Sequence, residues 1–164
     1  MSTGPYSRFL LTLLLPVGLR PLAAQGPDTL SVADLWVRAL SEDADTSSAR
    51  RVLGRPLRVV QHQQRNDDGV LLLDWHYRDF TVSFDAGRRY RVDLTGPSIA
   101  TSRHVRVGDA AEKVRRLYGR PMHEDAGHML YAASTSDSET RGITFFLANG
   151  RVTRILVGHV ISVE

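Results

Sequence analysis

The spacing of apolar residues changes twice along the chain, from a helical period to an alternation of period two. Apolar residues recur at helical spacing before Pro56 and again before Pro121. After each proline, β-branched, aromatic and leucine residues alternate with polar ones and are interrupted by short loops rich in Gly and Asp. This pattern predicts helices over residues 31–40, 47–53 and 109–118, each group followed by antiparallel strands.

Capping signals set the ends of these predicted helices. Ser31 and Asp34 form a capping-box-like start, and Asp109 with Glu112 three positions later begins the later helix in the same way. The sequence Gly-Arg-Pro occurs at 54–56 and again at 119–121. A glycine supplies the left-handed position after a helix and a nearby proline prevents its continuation, so both copies indicate helix ends.

The repeated order predicts an α+β fold made of two tandem repeats. Each repeat is a short helix or helix pair followed by an antiparallel β-meander, with the helices packed on one face of the sheet. The segment TGPSIATSRH, residues 95–104, contains Gly-Pro and separates the two alternating regions. We therefore expect a first repeat over residues 25–97 and a second over residues 98–164.

Two hairpin loops in the alternating regions decide which side chains share a sheet face. Loops of three residues, closing through Gly87 and Gly150 in a left-handed conformation, would pair Val82 with Tyr90 and Phe145 with Thr153. This register predicts a core that contains Leu73, Trp75, Phe80, Val82, Val92, Val114, Leu117, Tyr131, Phe145 and Ile155.

The first 24 residues have the composition of a secretory signal peptide. Arg8 precedes an apolar run from Phe9 to Leu15, and small residues follow at Ala23 and Ala24. The run is far shorter than the roughly 20 residues that a membrane-spanning helix needs. We therefore expect cleavage before Gln25, a periplasmic or secreted protein, and no stable membrane span after cleavage.

Composition limits the classes of partner and of covalent chemistry. The chain of 164 residues contains no cysteine, so it has neither disulfides nor a lipidation site after the signal peptide. Removal of Arg8 and Arg20 with the signal lowers the formal net charge from +3 to +1, because that segment contains no acidic residue. A nearly neutral mature protein does not favour a nucleic-acid partner, and no motif indicates a cofactor.

The second half resembles the small helix-then-sheet module of the outer-membrane assembly lipoprotein group BamE (SmpA/OmlA) and the similar β-lactamase-inhibitor-like modules. The resemblance rests on Val107-Gly108-Asp109, Val114-Arg115, Leu117 to Pro121, Tyr131, and Phe145 to Val152. It covers residues 103–158, and residues 47–95 only faintly. It implies an exported binding or assembly module without catalytic residues that binds a protein partner in the cell envelope. The family's lipid anchor is not implied here, because the chain has no cysteine.

The predicted outer face of the sheet supplies the candidate binding residues. With three-residue loops this face is polar in the first half and carries an aromatic and aliphatic patch in the second. An aromatic anchor surrounded by arginines is typical of protein-binding surfaces. The candidate contact residues are His62, Asp74, His76, Arg78, Thr81, Arg89, Arg91, Phe146, Val152, Arg154 and Leu156.

Histidine spacing offers an alternative function. A weak metal-binding or hydrolytic site would use His62, Asp74, His76 and Arg91 on the outer face of the first hairpins, although a second shell of ligand partners is not evident there. The stretch from His123 to His128 resembles HExxH, but its second histidine comes one residue late and the segment leads into a strand. The sequence therefore predicts no metal ligands there, and it contains no Gly-x-Ser-x-Gly elbow that would mark a catalytic serine.

Overall fold

The computed structural model describes residues 1, 30–63, 71–136 and 139–160. The predicted signal peptide falls almost wholly outside the described residues. A 3₁₀ helix covers Val32–Leu35, and the α-helices are α1 (Thr46–Leu53) and α2 (Ala111–Tyr118). The strands are β1 (Arg58–Gln63), β2 (Leu71–His76), β3 (Phe80–Asp85), β4 (Arg88–Leu94), β5 (His123–Glu124), β6 (His128–Ser136), β7 (Glu139–Ala148) and β8 (Arg151–Val160).

All eight strands form one antiparallel sheet in the order β1-β2-β3-β4-β8-β7-β6-β5. The last strand of each half pairs with the other, through Arg91–Gly158, Val92–Val157, Asp93–Leu156 and Leu94–Ile155. The predicted fold class, two tandem helix-and-meander repeats, is therefore wrong. The described residues form a single continuous sheet with two short α-helices, because backbone pairing between β4 and β8 merges the two meanders.

The first predicted helix is much shorter than residues 31–40. The capping box is present. Its Asp34 Oδ2 accepts the Ser31 amide at 2.9 Å, and the same oxygen accepts the Ser31 hydroxyl at 2.9 Å. After Leu35 the chain becomes extended at Trp36, and Arg38 and Ala39 take positive φ values of 50° and 62°. The resulting tight turn joins Val37 to Leu40 by backbone hydrogen bonds and buries both side chains, which a continued helix would not do.

Both α-helices begin and end close to the predicted positions. Asp45 caps α1 by accepting the Ser48 amide at 2.7 Å. At α2 the N-cap is Ala110, and the predicted cap Asp109 instead accepts the Arg106 amide and the Lys113 ammonium, each at 2.7 Å. Gly54 and Gly119 follow the two helices with positive φ, as the Gly-Arg-Pro repeats predict.

The two hairpins β3–β4 and β7–β8 close with two residues, so the predicted three-residue loops are wrong. Positive φ at both Ala86 and Gly87, and at both Asn149 and Gly150, indicates type I′ turns, whose twist matches that of the flanking strands. A bulge follows each turn on the second strand of the hairpin, at Tyr90 opposite Ser83 and Phe84 and at Thr153 opposite Phe146 and Leu147. Its extra residue changes which side chains face the core.

One large hydrophobic cluster lies between the helices and one side of the sheet. It joins Ala49 of α1 and Val114 and Tyr118 of α2 to inward strand residues such as Val82 and Phe145. Of the predicted core residues, Leu73 and Leu117 are partly buried against this cluster. The other eight are confirmed as buried: Trp75, Phe80, Val82, Val92, Val114, Tyr131, Phe145 and Ile155.

Candidate functional site

The candidate residues of the first half lie along strands β1 to β4 but do not converge on one point. His62 Nε2 lies 3.0 Å from Asp74 Oδ2. His76 instead contacts Thr81, with Nδ1 3.0 Å from the hydroxyl oxygen. Arg91 pairs with Ser83 and Gly158 in neighbouring strands, and Arg78 is exposed in the turn after β2. The structure thus joins two of the four residues of the predicted metal or hydrolytic site.

The predicted apolar patch of the second half is a small buried cluster. Leu156 is only 3% exposed and groups with Leu130 and Val160, with Phe146 packed against them. The Arg154 guanidinium lies 5.2 Å from the centre of the Phe146 ring and binds Asp93 through two hydrogen bonds of 2.8 and 2.6 Å. Arg154 therefore already has intramolecular partners for its charge.

Val152 and Arg89 were predicted on the outer face, and for both this placement is wrong. They occupy equivalent positions two residues after the two turns, and the bulge in each hairpin turns them towards the core side. Val152 is 1% exposed within the main hydrophobic cluster. Arg89 is 5% exposed. The reason is that a two-residue turn followed by a bulge reverses the alternation that a three-residue loop would give.

Arg89 lies in the wall of a groove with a volume of about 520 Å³. The groove is bounded by the segment after the 3₁₀ helix, by the β3–β4 turn, and by strands β7 and β8. Its described lining residues are Val32, Trp36, Glu42, Asp43, Asp85, Arg88, Arg89, Tyr90, Arg141 and His159. We call this feature the Arg89 groove.

Backbone carbonyls hold the Arg89 guanidinium. Its Nη2 donates to the Leu35 carbonyl at 2.9 Å and its Nε to the Glu42 carbonyl at 3.4 Å. Burial lowers the pKa of Arg89 to about 10, and the charges of Glu42 and Asp43 oppose that shift. The side chain is therefore cationic at neutral pH, and it fixes both ends of the segment that walls the groove.

Two polar atoms of this groove have no hydrogen-bond partner. They are Nη1 of Arg89, a donor, and Oδ1 of Asp85, an acceptor, and both are buried. No carboxylate of the described residues forms an ion pair with Arg89, whereas Arg141 across the groove pairs with Glu42 at 3.1 Å. Buried polar groups without partners are uncommon in proteins, so their presence together in one groove marks it as a candidate site.

The groove also presents aromatic surface. Trp36 is 45% exposed, and the Tyr90 ring stacks on His159 with ring centres 4.4 Å apart. Three arginines and three carboxylates line the groove, so its described lining has no formal net charge if His159 is neutral. The site thus combines exposed aromatic surface with two residues, Arg89 and Asp85, that each have one buried polar atom without a partner.

Sequence reasoning missed this groove because its residues come from four separated segments. Arg89 was assigned to the opposite sheet face, and Trp36 fell within the helix predicted over residues 31–40. The available signal was the turn itself, since Ala86-Gly87 and Asn149-Gly150 also fit two-residue hairpin loops. That reading would have placed Arg89 and Val152 inward.

Comparison with known proteins gives no family for this chain. No family model matches, and no curated protein matches. Among solved structures, the chain is similar to an extracellular protein containing an SCP domain from Bacillus anthracis str. Ames, with 8% sequence identity and a TM-score of 0.47. The match covers 86% of this chain and 49% of that protein, so this chain spans about half its length. This likeness is too distant to carry an inference about function.

No helix in the described part of the chain is both long and apolar enough to cross a membrane.

Proposed function

We propose that the chain is an exported, non-enzymatic module that binds an extended peptide segment of a protein partner in the Arg89 groove. The observation that carries the proposal is the pair of unpartnered groups in that groove, Arg89 Nη1 and Asp85 Oδ1. Both atoms are shielded from solvent in this structure, so binding requires the groove wall to move. A peptide backbone then offers a carbonyl to the first and an amide to the second, and buried groups of this kind gain the most from a new partner.

The charge of the groove favours a peptide over a free anion. Three arginines are balanced by Glu42, Asp43 and Asp85, and Glu42 neutralises Arg141 directly. A ligand that carries equal numbers of donors and acceptors suits such a neutral lining, and the exposed face of Trp36 would bury an apolar side chain of the ligand.

The aromatic patch on the outer face no longer supports the role predicted from the sequence. Leu156 is buried, and Arg154 covers Phe146 while paired with Asp93. Changing Phe146 or Leu156 would remove buried contacts, and the resulting loss of stability would obscure any effect on binding. We therefore propose that the partner protein binds in the Arg89 groove and not on the outer face of the sheet.

Selection from a phage-displayed peptide library tests the proposal. Peptides that bind the wild type should bind the double variant Trp36→Ala/Arg88→Glu at least tenfold more weakly, a loss of about 1.4 kcal/mol. Both changed residues are exposed, so the melting temperature should stay unchanged. Saturating peptide should also shift the tryptophan fluorescence of the wild type to shorter wavelength, and the shift should be absent from the variant that lacks Trp36.

The matched control is Val59→Ala/Arg58→Glu, which alters an exposed apolar residue and an exposed arginine on β1, an edge strand that contributes no described residue to the groove lining. This variant should bind the selected peptides like the wild type. Equal affinity for the wild type and the groove variant would contradict the proposal, and so would a library that yields no binding peptide.

Export is the second part of the proposal, and it rests on the amino-terminal sequence. Arg8, the apolar run from Phe9 to Leu15 and the Ala23-Ala24 exit predict cleavage by signal peptidase. Amino-terminal sequencing of the protein expressed in a Gram-negative host should give a chain that begins at or near Gln25 in the periplasm or the medium. An intact Met1 in the membrane fraction would be the opposite result.

A further inference from the structure

A short hairpin at the β5 edge of the sheet brings two histidines and an aspartate together. His123 lies on β5, His128 begins β6, and Asp125 lies in the turn between them. Pairing of His123 with Leu130 and of Glu124 with Met129 holds the hairpin in register. The HExxH motif brings its two histidines together on a helix, whereas this hairpin does so without one.

The distances between the polar atoms are close to those of a metal-binding set. Asp125 Oδ2 lies 2.9 Å from His128 Nδ1 and 3.8 Å from His123 Nε2. One ligand atom from each of the three residues lies within 4.8 Å of the others. Ligand atoms around a tetrahedral Zn²⁺ are about 3.4 Å apart, given metal–ligand bonds of about 2.1 Å. Small side-chain rotations would therefore close the set around an ion.

The Asp125 carboxylate is held in a fixed orientation. Its Oδ1 accepts the Gly127 amide at 2.6 Å and the His128 amide at 2.8 Å, which leaves Oδ2 directed at the histidines. Such outer hydrogen bonds orient a carboxylate as they do in known metal sites.

The neighbouring side chains leave the cluster open on its solvent side. His123 and Asp125 are both exposed, and the two imidazole rings stack with centres 5.1 Å apart. The carboxylate of Glu124 is bound by Arg115 at 2.6 and 3.1 Å, so it does not compete for the same position. Two imidazole nitrogens and one carboxylate oxygen suit Zn²⁺ and related divalent transition metals better than Ca²⁺ or Mg²⁺.

We propose that His123, Asp125 and His128 form a three-ligand site for a divalent transition metal, with Zn²⁺ as its preferred ion and water completing the coordination. The site is independent of the peptide-binding function proposed for the groove. It would stabilise the β5–β6 hairpin by joining both of its strands and its turn through one ion.

Titration of the purified full chain with Zn²⁺, without an affinity tag, tests the site. The wild type should bind one equivalent, measured calorimetrically and by competition with a chromophoric chelator. His123→Asn and Asp125→Asn should each weaken binding at least tenfold. Asn at position 125 retains an oxygen for the two turn amides and loses the charged ligand atom, so the turn itself should persist.

The controls are His104→Asn and His62→Asn, which remove exposed histidines elsewhere in the chain, and asparagine tolerates the positive φ of residue 104. Both should bind Zn²⁺ like the wild type. Excess Zn²⁺ should raise the melting temperature of the wild type and of these controls, but not of His123→Asn. The proposal fails if the wild type takes up no Zn²⁺, or if His123→Asn and Asp125→Asn bind as tightly as the controls.

Discussion

Asp34 shows at the scale of a single residue how one buried carboxylate organises the segment before α1. It is 7% exposed, and its two oxygens receive Nε and Nη2 of Arg103 at 2.7 and 2.8 Å. Ser31 adds the capping-box hydrogen bonds, and Arg103 continues to the carbonyl of Leu117 at the end of α2. One ion pair thus connects the amino-terminal segment to the second helix.

This pair predicts a loss of stability in acid. The hydrogen bonds from Arg103 lower the pKa of Asp34 to about 2 from its ordinary 3.8, against the opposing effect of burial. Because the folded-state pKa is the lower one, the stabilisation is complete above about pH 4 and is lost as the pH falls to about 2. The shift corresponds to about 2 kcal/mol of the free energy of unfolding.

Urea unfolding of the wild type and of Asp34→Asn between about pH 7 and pH 2 measures this contribution. The variant should be less stable by about 2 kcal/mol or more at neutral pH, and the difference should shrink towards pH 2. Glu112→Gln, at an exposed position on α2, serves as the control and should follow the wild-type curve. A difference that stays constant over the whole range would contradict the assignment.

At the scale of elements, the two hairpins with type I′ turns determine where the groove forms. Each turn is followed by a bulge, and the bulge directs Arg89 in one hairpin and Val152 in the other towards the core side. The second hairpin fills that position with an aliphatic side chain that joins the core. In the β3–β4 hairpin the same position holds the Arg89 guanidinium, which binds the carbonyls of Leu35 and Glu42. Arg89 thereby holds the segment that forms one wall of the groove.

Positive φ at Gly87 and Gly150, predicted from the sequence, is confirmed at 79° and 70°. Replacing either residue by Val should therefore cost about 1–3 kcal/mol, because a β-branched residue is strained in the left-handed region. Open space surrounds both positions, so the loss would come from the backbone and not from a clash. Thermal unfolding measures the effect. Gly127→Ala, whose added carbon would make only an ordinary contact with Asp125, should be nearly neutral.

Local sequence signals predicted much of these elements, and their limits have a physical cause. Capping residues and Gly-Arg-Pro located both α-helices, and alternation located the core of the strands. The sheet face of each side chain near the turns depends on the length of the hairpin loop. Two-residue and three-residue loops use the same glycine, yet they place Arg89 and Val152 on opposite faces of the sheet. Trp36 was misplaced because the turn at Arg38 and Ala39 uses positive φ values that neither residue type suggests.

At the scale of the whole molecule, contacts between the two halves of the chain are extensive. The sheet is continuous from β4 to β8, and one hydrophobic cluster includes residues of both helices. Among the described residues, three ion pairs also cross between the halves: Asp34–Arg103, Glu42–Arg141 and Asp93–Arg154. No sequence signal pointed to this pairing, because alternation reveals strands but not which distant strand completes the sheet.

These contacts predict that the protein unfolds as one cooperative unit. Calorimetry should show a single transition whose calorimetric and van't Hoff enthalpies agree, with far-ultraviolet circular dichroism and Trp75 fluorescence following the same curve. Val157→Ala removes buried methyl groups opposite Val92 where β8 meets β4, and it should lower the stability of the whole molecule by about 1–3 kcal/mol. Val59→Ala, exposed on β1, should change nothing. Two separable transitions, with only one of them shifted by Val157→Ala, would mean instead that each half holds its own fold and that the β4–β8 pairing is a weak junction between them.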